Sequence, residues 1–301
     1  ARRAAERIGA LSFGLELTSG EAKVPAAHRA MRASTAIHSI APAVAMLGGS
    51  TLVVDCTIDG LMHAPELLSI LKGGTRIVCL GNEHPEALAR LVPDAALERL
   101  VKEHVRRLRG AKRMRITSPA GTELHVDLAG SVAGGNWGMT TRPGTLTHWP
   151  GGLVLAFPAA AAVRGKLVLN AGDANLGLSR HLDQPIALTI QRDRIEHVAG
   201  TGVDADLLRE GIAAWGEHAA HAVRHVGYGL NAAARRDSPA RPDAPGPSGT
   251  ELRACAGNFL YSTGASATTK PFSHGQFDLP MRICTIALDG EVVVRAGRVV
   301  G

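Results

Sequence analysis

The chain has 301 residues, 45% of them hydrophobic and 20% charged, enough for one large domain or two modest ones around a sizeable core. Lys and Arg outnumber Asp and Glu by 33 to 27, a net charge of +6, but aromatic residues make up only 3% and the basic residues are scattered, so a nucleic-acid partner, with its basic stripe and stacking platform, is not expected. No apolar run approaches the roughly 20 residues that span a bilayer and no signal-peptide core opens the chain, so no membrane partner is expected and a cytoplasmic location is.

The first 110 residues alternate helical and strand signals. ARRAAERIGALS has helical spacing and GLELTSG reads as a short strand and turn. The chain opens in mid-pattern without Met, which suggests a trimmed or processed start. AHRAMRASTAIHSIAPAVAML is helix-like with a break near Pro42, since proline cannot donate within a helix. STLVVDCTI, between Gly48, Gly49 and Gly60, reads as a buried parallel strand, and TRIVCLG as the next. APELLSILKGG is a helix closed by glycines, and HPEALARLVPD and AALERLVKEHVRRLRG are two more. This strand–helix order predicts a parallel sheet flanked by helices over 1–110. The one basic concentration, RRLRGAKRMR, reads as a helix end running into a strand.

From 111 to 301 the chain is mostly β. KRMRITSPAGTELHVDLAG predicts two strands around a turn, and GGLVLAFPA, RGKLVLNAGD, QPIALTIQRDRIEHVAG and EVVVRAGRVVG predict short strands between Gly, Pro and Asp turns. One helix intervenes at about 204–224, with His225 at its end. RRDSPARPDAPGPSG is a surface loop. The expected fold is therefore an α/β N-terminal domain followed by a mostly-β (α+β) C-terminal domain that carries the site.

Polar interest concentrates after residue 220. The four cysteines form no CxxC pair and read as reduced core residues. Ser262 lacks a nucleophile elbow, which argues against a Ser-His-Asp triad. Imidazole, carboxylate and hydroxyl would instead suit Fe(II), Mn(II) or Zn(II). HGQFDLP puts His274, Gln276 and Asp278 at one parity, on one side of an extended strand. His104, His218, His221 and Glu83 read as solvated, and Trp149 and Phe259 as core.

HVGYGLN, AGNFLYSTG and DLPMRICTIALDGEVVVRAGRVV, together with HWPGG and RITSPAGTELHV upstream, resemble the 2,5-dihydroxypyridine 5,6-dioxygenases. These are mononuclear non-haem iron enzymes, distantly similar to aminopeptidase T-type metallopeptidases. The resemblance spans nearly the whole chain. It implies iron ligation by two histidines, a serine and an aspartate, and hence ring opening of a small hydroxylated N-heteroaromatic substrate with O₂. His225, Ser262 and Asp278 match three of these ligands. The fourth matching position holds Gln276, and His274 lies two residues further upstream. Residues four apart in a strand are about 13 Å apart, so His274 would need a bend to join them. Otherwise Gln276 offers its amide oxygen, or the site binds metal poorly. The resemblance also places His84 and His148 near the substrate, as proton carriers, and Arg253 where it suits a carboxylate or ring oxygen. A homo-oligomer is expected. The alternatives are an aminopeptidase-type hydrolase and a non-catalytic small-molecule-binding homologue.

Overall fold

The computed structural model describes residues 2–17, 37–57, 60–80, 83–178, 180–216, 218–237, 251–264 and 276–300. Helix α1 (Arg2–Arg7) buries none of its residues. The segment read as a strand after it has no regular structure over 14–17. Helix α2 (Ala41–Gly48) carries Pro42 in its first turn, so the proline starts a helix instead of breaking one, because the first N–H groups of a helix lack intrahelical partners anyway. Strand β1 (Leu52–Asp55), helix α3 (Leu67–Lys72) and strand β2 (Arg76–Cys79) follow, β1 pairing with β2 in parallel as expected. Strand β1 is less buried than its composition suggests, with Leu52 46% and Val54 37% exposed. A small core of Ile37, Leu47, Leu61, Ile70 and Ile77 holds this part together.

Helix α4 (Pro85–Arg90) has His84 as its N-cap. Helix α5 (Ala95–Gly110) starts at Asp94, whose side chain accepts from Leu97 N–H at 2.7 Å, and ends with Arg107 and Arg109 in its last turn. Both ends thus match the helix dipole. Its buried stripe is Val101, His104 and Leu108. His104, expected in solvent, is 1% exposed, and its Nδ1 lies 3.0 Å from Tyr228 Oη.

Strands β3 (Arg113–Thr117), β4 (Glu123–Asp127), β5 (Val132–Asn136), β6 (Leu146–His148), β7 (Leu153–Phe157) and β8 (Val163–Leu169) come next. Strand β6 pairs in parallel with β2, so Cys79 and His148 are neighbours at the same end of a three-stranded sheet. A short ribbon, β9 (Ala174–Asn175) with β10 (Arg180–His181), precedes the hairpin of β11 (Ile186–Gln191) and β12 (Arg194–Ala199). Helix α6 spans Val203–Trp215, and a single 3₁₀ turn at His218–His221 leads into β13 (Val223–Gly229). The predicted helix therefore stops about ten residues early. Gly216 in the left-handed region ends it, and His225 lies inside a strand. Helix α7 (Glu251–Ala254), β14 (Phe259–Thr263), β15 (Asp278–Met281), β16 (Thr285–Leu288), β17 (Glu291–Arg295) and β18 (Arg298–Val299) complete the chain.

An eight-stranded sheet runs β12-β11-β8-β4-β3-β16-β17-β18 and a five-stranded one β15-β14-β13-β7-β5. Together with α5 and α6 they enclose the main core. Strand alternation decides what faces it. Val226 and Tyr228, Phe259 and Tyr261, Leu279 and Met281 point inward. Helix α5 rests on β5 at Gly135, where a Cβ would lie 2.5 Å from Val105 Cγ2, so only glycine lets helix and strand approach this closely. Cys79, Cys255 and Cys284 are buried and free as expected, but Cys56 is exposed. No helix among the described residues is long and apolar enough to cross a membrane.

Candidate metal centre

The residues that alternate with the core set occupy the opposite face of the five-stranded sheet. His225 is the register partner of Ser262, and Ser262 is the partner of Asp278. Three residues distant in sequence thus form one row across β13, β14 and β15. Directly opposed side chains on adjacent strands have Cβ atoms about 4.5–5.5 Å apart. All three are buried, at 8%, 0% and 2% exposure.

The row is electrostatically coupled. Ser262 Oγ donates to Asp278 Oδ1. Arg253, from α7, places Nε 2.5 Å from Asp278 Oδ2. Burial alone would push the Asp278 carboxyl up, but Arg253, His225, the Ser262 hydroxyl and Arg224 outweigh it and hold it below the usual carboxylate range. His225 packs beside the Phe157 ring, centroids 5.6 Å apart. Burial drives its pKa down to about 3, with Asp278 opposing and Arg224, Arg253 and His148 adding. It is neutral at physiological pH, and its buried Nδ1 has no hydrogen-bond partner among the described residues.

His148 reaches the same place from the end of β6. Its Nε2 lies 2.8 Å from Met62 Sδ. Burial, then Arg253 and Arg224, lowers its pKa to about 4, so it is neutral as well. Arg224 is a residue that sequence reasoning missed. The β13–β14 register shifts between Val223 and His225, a bulge of the kind that re-aims a side chain near functional sites. Arg224 Nη1 donates to Gln276 Oε1 at 2.7 Å, while Gln276 Nε2 lies 3.4 and 3.5 Å from the Asp278 oxygens. No spacing rule signals a bulge, so nothing along the chain marks this arginine in advance.

The structure therefore brings His225, Ser262, Asp278, Arg253 and His148 together. His84 is placed at the N-cap of α4, its Nδ1 accepting from Glu86 N–H at 3.2 Å. His274 lies outside the described residues.

A partnerless buried imidazole nitrogen, an ionised carboxylate and a hydroxyl form a donor set that fits one face of a divalent cation. The set is lean: among the described residues no three of His, Cys, Asp and Glu group together as a metal cluster. The Gln276 amide oxygen is directed to Arg224, which opposes its use as a ligand.

The family model of 2,5-dihydroxypyridine 5,6-dioxygenase (NicX) matches residues 1–301. A 2,5-dihydroxypyridine 5,6-dioxygenase of Pseudomonas putida KT2440 is 32% identical over 304 residues, covering 100% of this chain and 86% of that protein. The solved structure of 2,5-dihydroxypyridine dioxygenase from that organism superposes with a TM-score of 0.92 at 32% identity, over 99% of this chain and 86% of the other. Wild-type AmpT of Thermus thermophilus is similar in fold alone, with a TM-score of 0.56 at 17% identity over 87% of this chain and 80% of the other.

Proposed function

Because this chain belongs to the 2,5-dihydroxypyridine 5,6-dioxygenase family, we propose that it opens the ring of a small hydroxylated N-heteroaromatic compound, 2,5-dihydroxypyridine or a close analogue, with O₂. The observation that carries the reading is the buried row His225–Ser262–Asp278 with its partnerless imidazole nitrogen. These three would hold Fe(II), or another divalent metal such as Mn or Zn in its place, with His274 as the proposed fourth ligand. When bound, iron lets the ring and O₂ react without an outside reductant, both oxygen atoms ending in the product.

The chain's own residues do the rest. Arg253 keeps Asp278 ionised and in place. Ser262 contributes a neutral hydroxyl, a weak donor that can give way to substrate. His148 is the proton carrier we favour: with Nε2–H directed at Met62 Sδ, its Nδ1 can accept a proton from a ring hydroxyl. His84 is less suited, because its Nδ1 already caps α4. Ile8, Leu11 and Phe13, at 81%, 99% and 56% exposure, support the expectation of a homo-oligomer.

The test is to load the purified chain with Fe(II) without air, measure bound iron, and follow O₂ consumption with 2,5-dihydroxypyridine. Iron near one per chain and stoichiometric O₂ uptake are expected; neither binding nor uptake would end the proposal. A second reading, a binding protein with an incomplete metal set, draws on the Gln276–Arg224 hydrogen bond. It gains if Gln276→His is needed before iron binds. The hydrolase reading has only the distant AmpT fold behind it.

A further inference from the structure

One aromatic side chain stands apart from the core. Trp215, Tyr228, Phe259, Tyr261 and Phe277 all lie in the main core, whereas Phe157 packs into none of the apolar clusters among the described residues. Yet β7 is an interior strand, between β13 and β5. The register explains this position. Val226 pairs with Ala156, so one step along this antiparallel ladder Phe157 comes opposite His225. Strand alternation then puts it on the face of the proposed ligand row. Phe157 in turn pairs with Val132 of β5, which is 55% exposed. The row thus runs from the buried Asp278 through Ser262 and His225 to Phe157, and there it meets solvent.

The Phe157 side chain is only partly buried. One side of its ring meets the His225 imidazole, centroids 5.6 Å apart and planes tilted by 59°. Its Cε2 edge leans over Gly134, where an added Cβ would stand 3.8 Å away, so that position of β5 sends up no side chain to cover it. An apolar ring beside a few convergent polar groups is the make-up of a small-molecule pocket. Aromatic rings favour a second ring offset-stacked or edge-on against them.

We propose that Phe157 is the aromatic wall of the substrate pocket and a specificity-determining residue. The substrate ring packs against the Phe157 ring, with its oxygens turned along the row toward His225, Ser262 and Asp278. The inference rests on reading this site as the ring-opening centre.

The test is a binding titration of the purified full chain with 2,5-dihydroxypyridine, with Fe(II) present and air excluded. Parent, Phe157→Leu and Phe157→Tyr are compared. Leucine keeps an apolar side chain but removes the aromatic face. Phe157→Leu should bind the ring about three- to tenfold more weakly, and Phe157→Tyr should stay within about twofold of the parent. Unchanged ring affinity in Phe157→Leu overturns the proposal. So does a drop in iron affinity alone, with ring affinity at saturating Fe(II) unchanged, because Phe157 would then only support His225. A parent that binds no ring overturns it as well. Should Phe157→Leu not fold, Phe157→Met is judged by the same criterion. O₂ uptake by the parent is read separately. Uptake together with an unaffected variant removes Phe157 alone, and ring affinity that depends on Phe157 without any uptake removes ring opening alone.

Discussion

Arg253 and Asp278, 25 residues apart in sequence, form a 2.5 Å ion pair whose carboxylate is almost fully buried and whose guanidinium is 17% exposed. Helix α7, only four residues long, serves to bring that arginine to the sheet. Removing one partner of a buried pair leaves the other charge uncompensated. Arg253→Met, which leaves the buried carboxylate, should therefore destabilise the chain by about 3 kcal/mol, and Asp278→Asn by less, because the arginine it leaves is partly solvated. Urea unfolding of the two variants measures this, and losses under about 0.5 kcal/mol for both would show that the pair is incidental.

His225 behaves in the opposite way. Its Nδ1 is buried without a partner among the described residues, a cost to the folded state of about 1–3 kcal/mol. His225→Leu should leave metal-free stability within about 1 kcal/mol of the parent or raise it, while abolishing iron binding. A variant that loses stability and still binds iron would contradict the assignment of His225 as a ligand.

A third prediction concerns acid. Burial, then Arg107, lowers the His104 pKa, with Glu103 opposing. As pH falls the unfolded chain takes up the proton first, so this contribution is complete above about pH 6.5 and drains away as pH drops below that value. His104→Gln keeps a polar partner for Tyr228 but cannot titrate in this range. The melting temperature should fall less between pH 7.5 and pH 5.5 in the variant than in the parent; equal falls would refute the linkage.

Gly227 offers a fourth. It lies two residues after His225 on the same strand face, and a Cβ there would collide with the Val154 carbonyl oxygen of β7. Gly227→Ala should cost about 3 kcal/mol by forcing β13 away from β7, and should lower iron affinity because the ligand row moves. Circular dichroism melts and iron titration check both effects; an unperturbed melt would show that the strand shifts freely, and unchanged iron affinity would show that the proposed ligand row does not depend on this strand spacing.

Much of this was legible from residues alone. Period and caps located β2, α4, α5 and the β3–β4 turn. Parity along HGQFDLP put Gln276 on the side of Asp278, where the amide nitrogen faces the carboxylate. The misses have physical causes. Ala, Leu and Glu predict a helix running up to His225, whereas Gly216 ends α6 early and sheet pairing with β7 and β14 claims the segment. His104 reads as solvated because helical charge spacing hides a residue that turns inward to Tyr228. Arg224 depends on a register shift, which is a property of two strands and cannot be read from one.

The proposed ligand row has a kinetic corollary. Its members come from three strands joined by long excursions of chain, so no short peptide cut from this protein contains a rudimentary version of the site. Closing such loops is entropically slow and happens only once the sheet has zipped up. Metal uptake should thus be a late event in biogenesis, reporting completed assembly instead of guiding it.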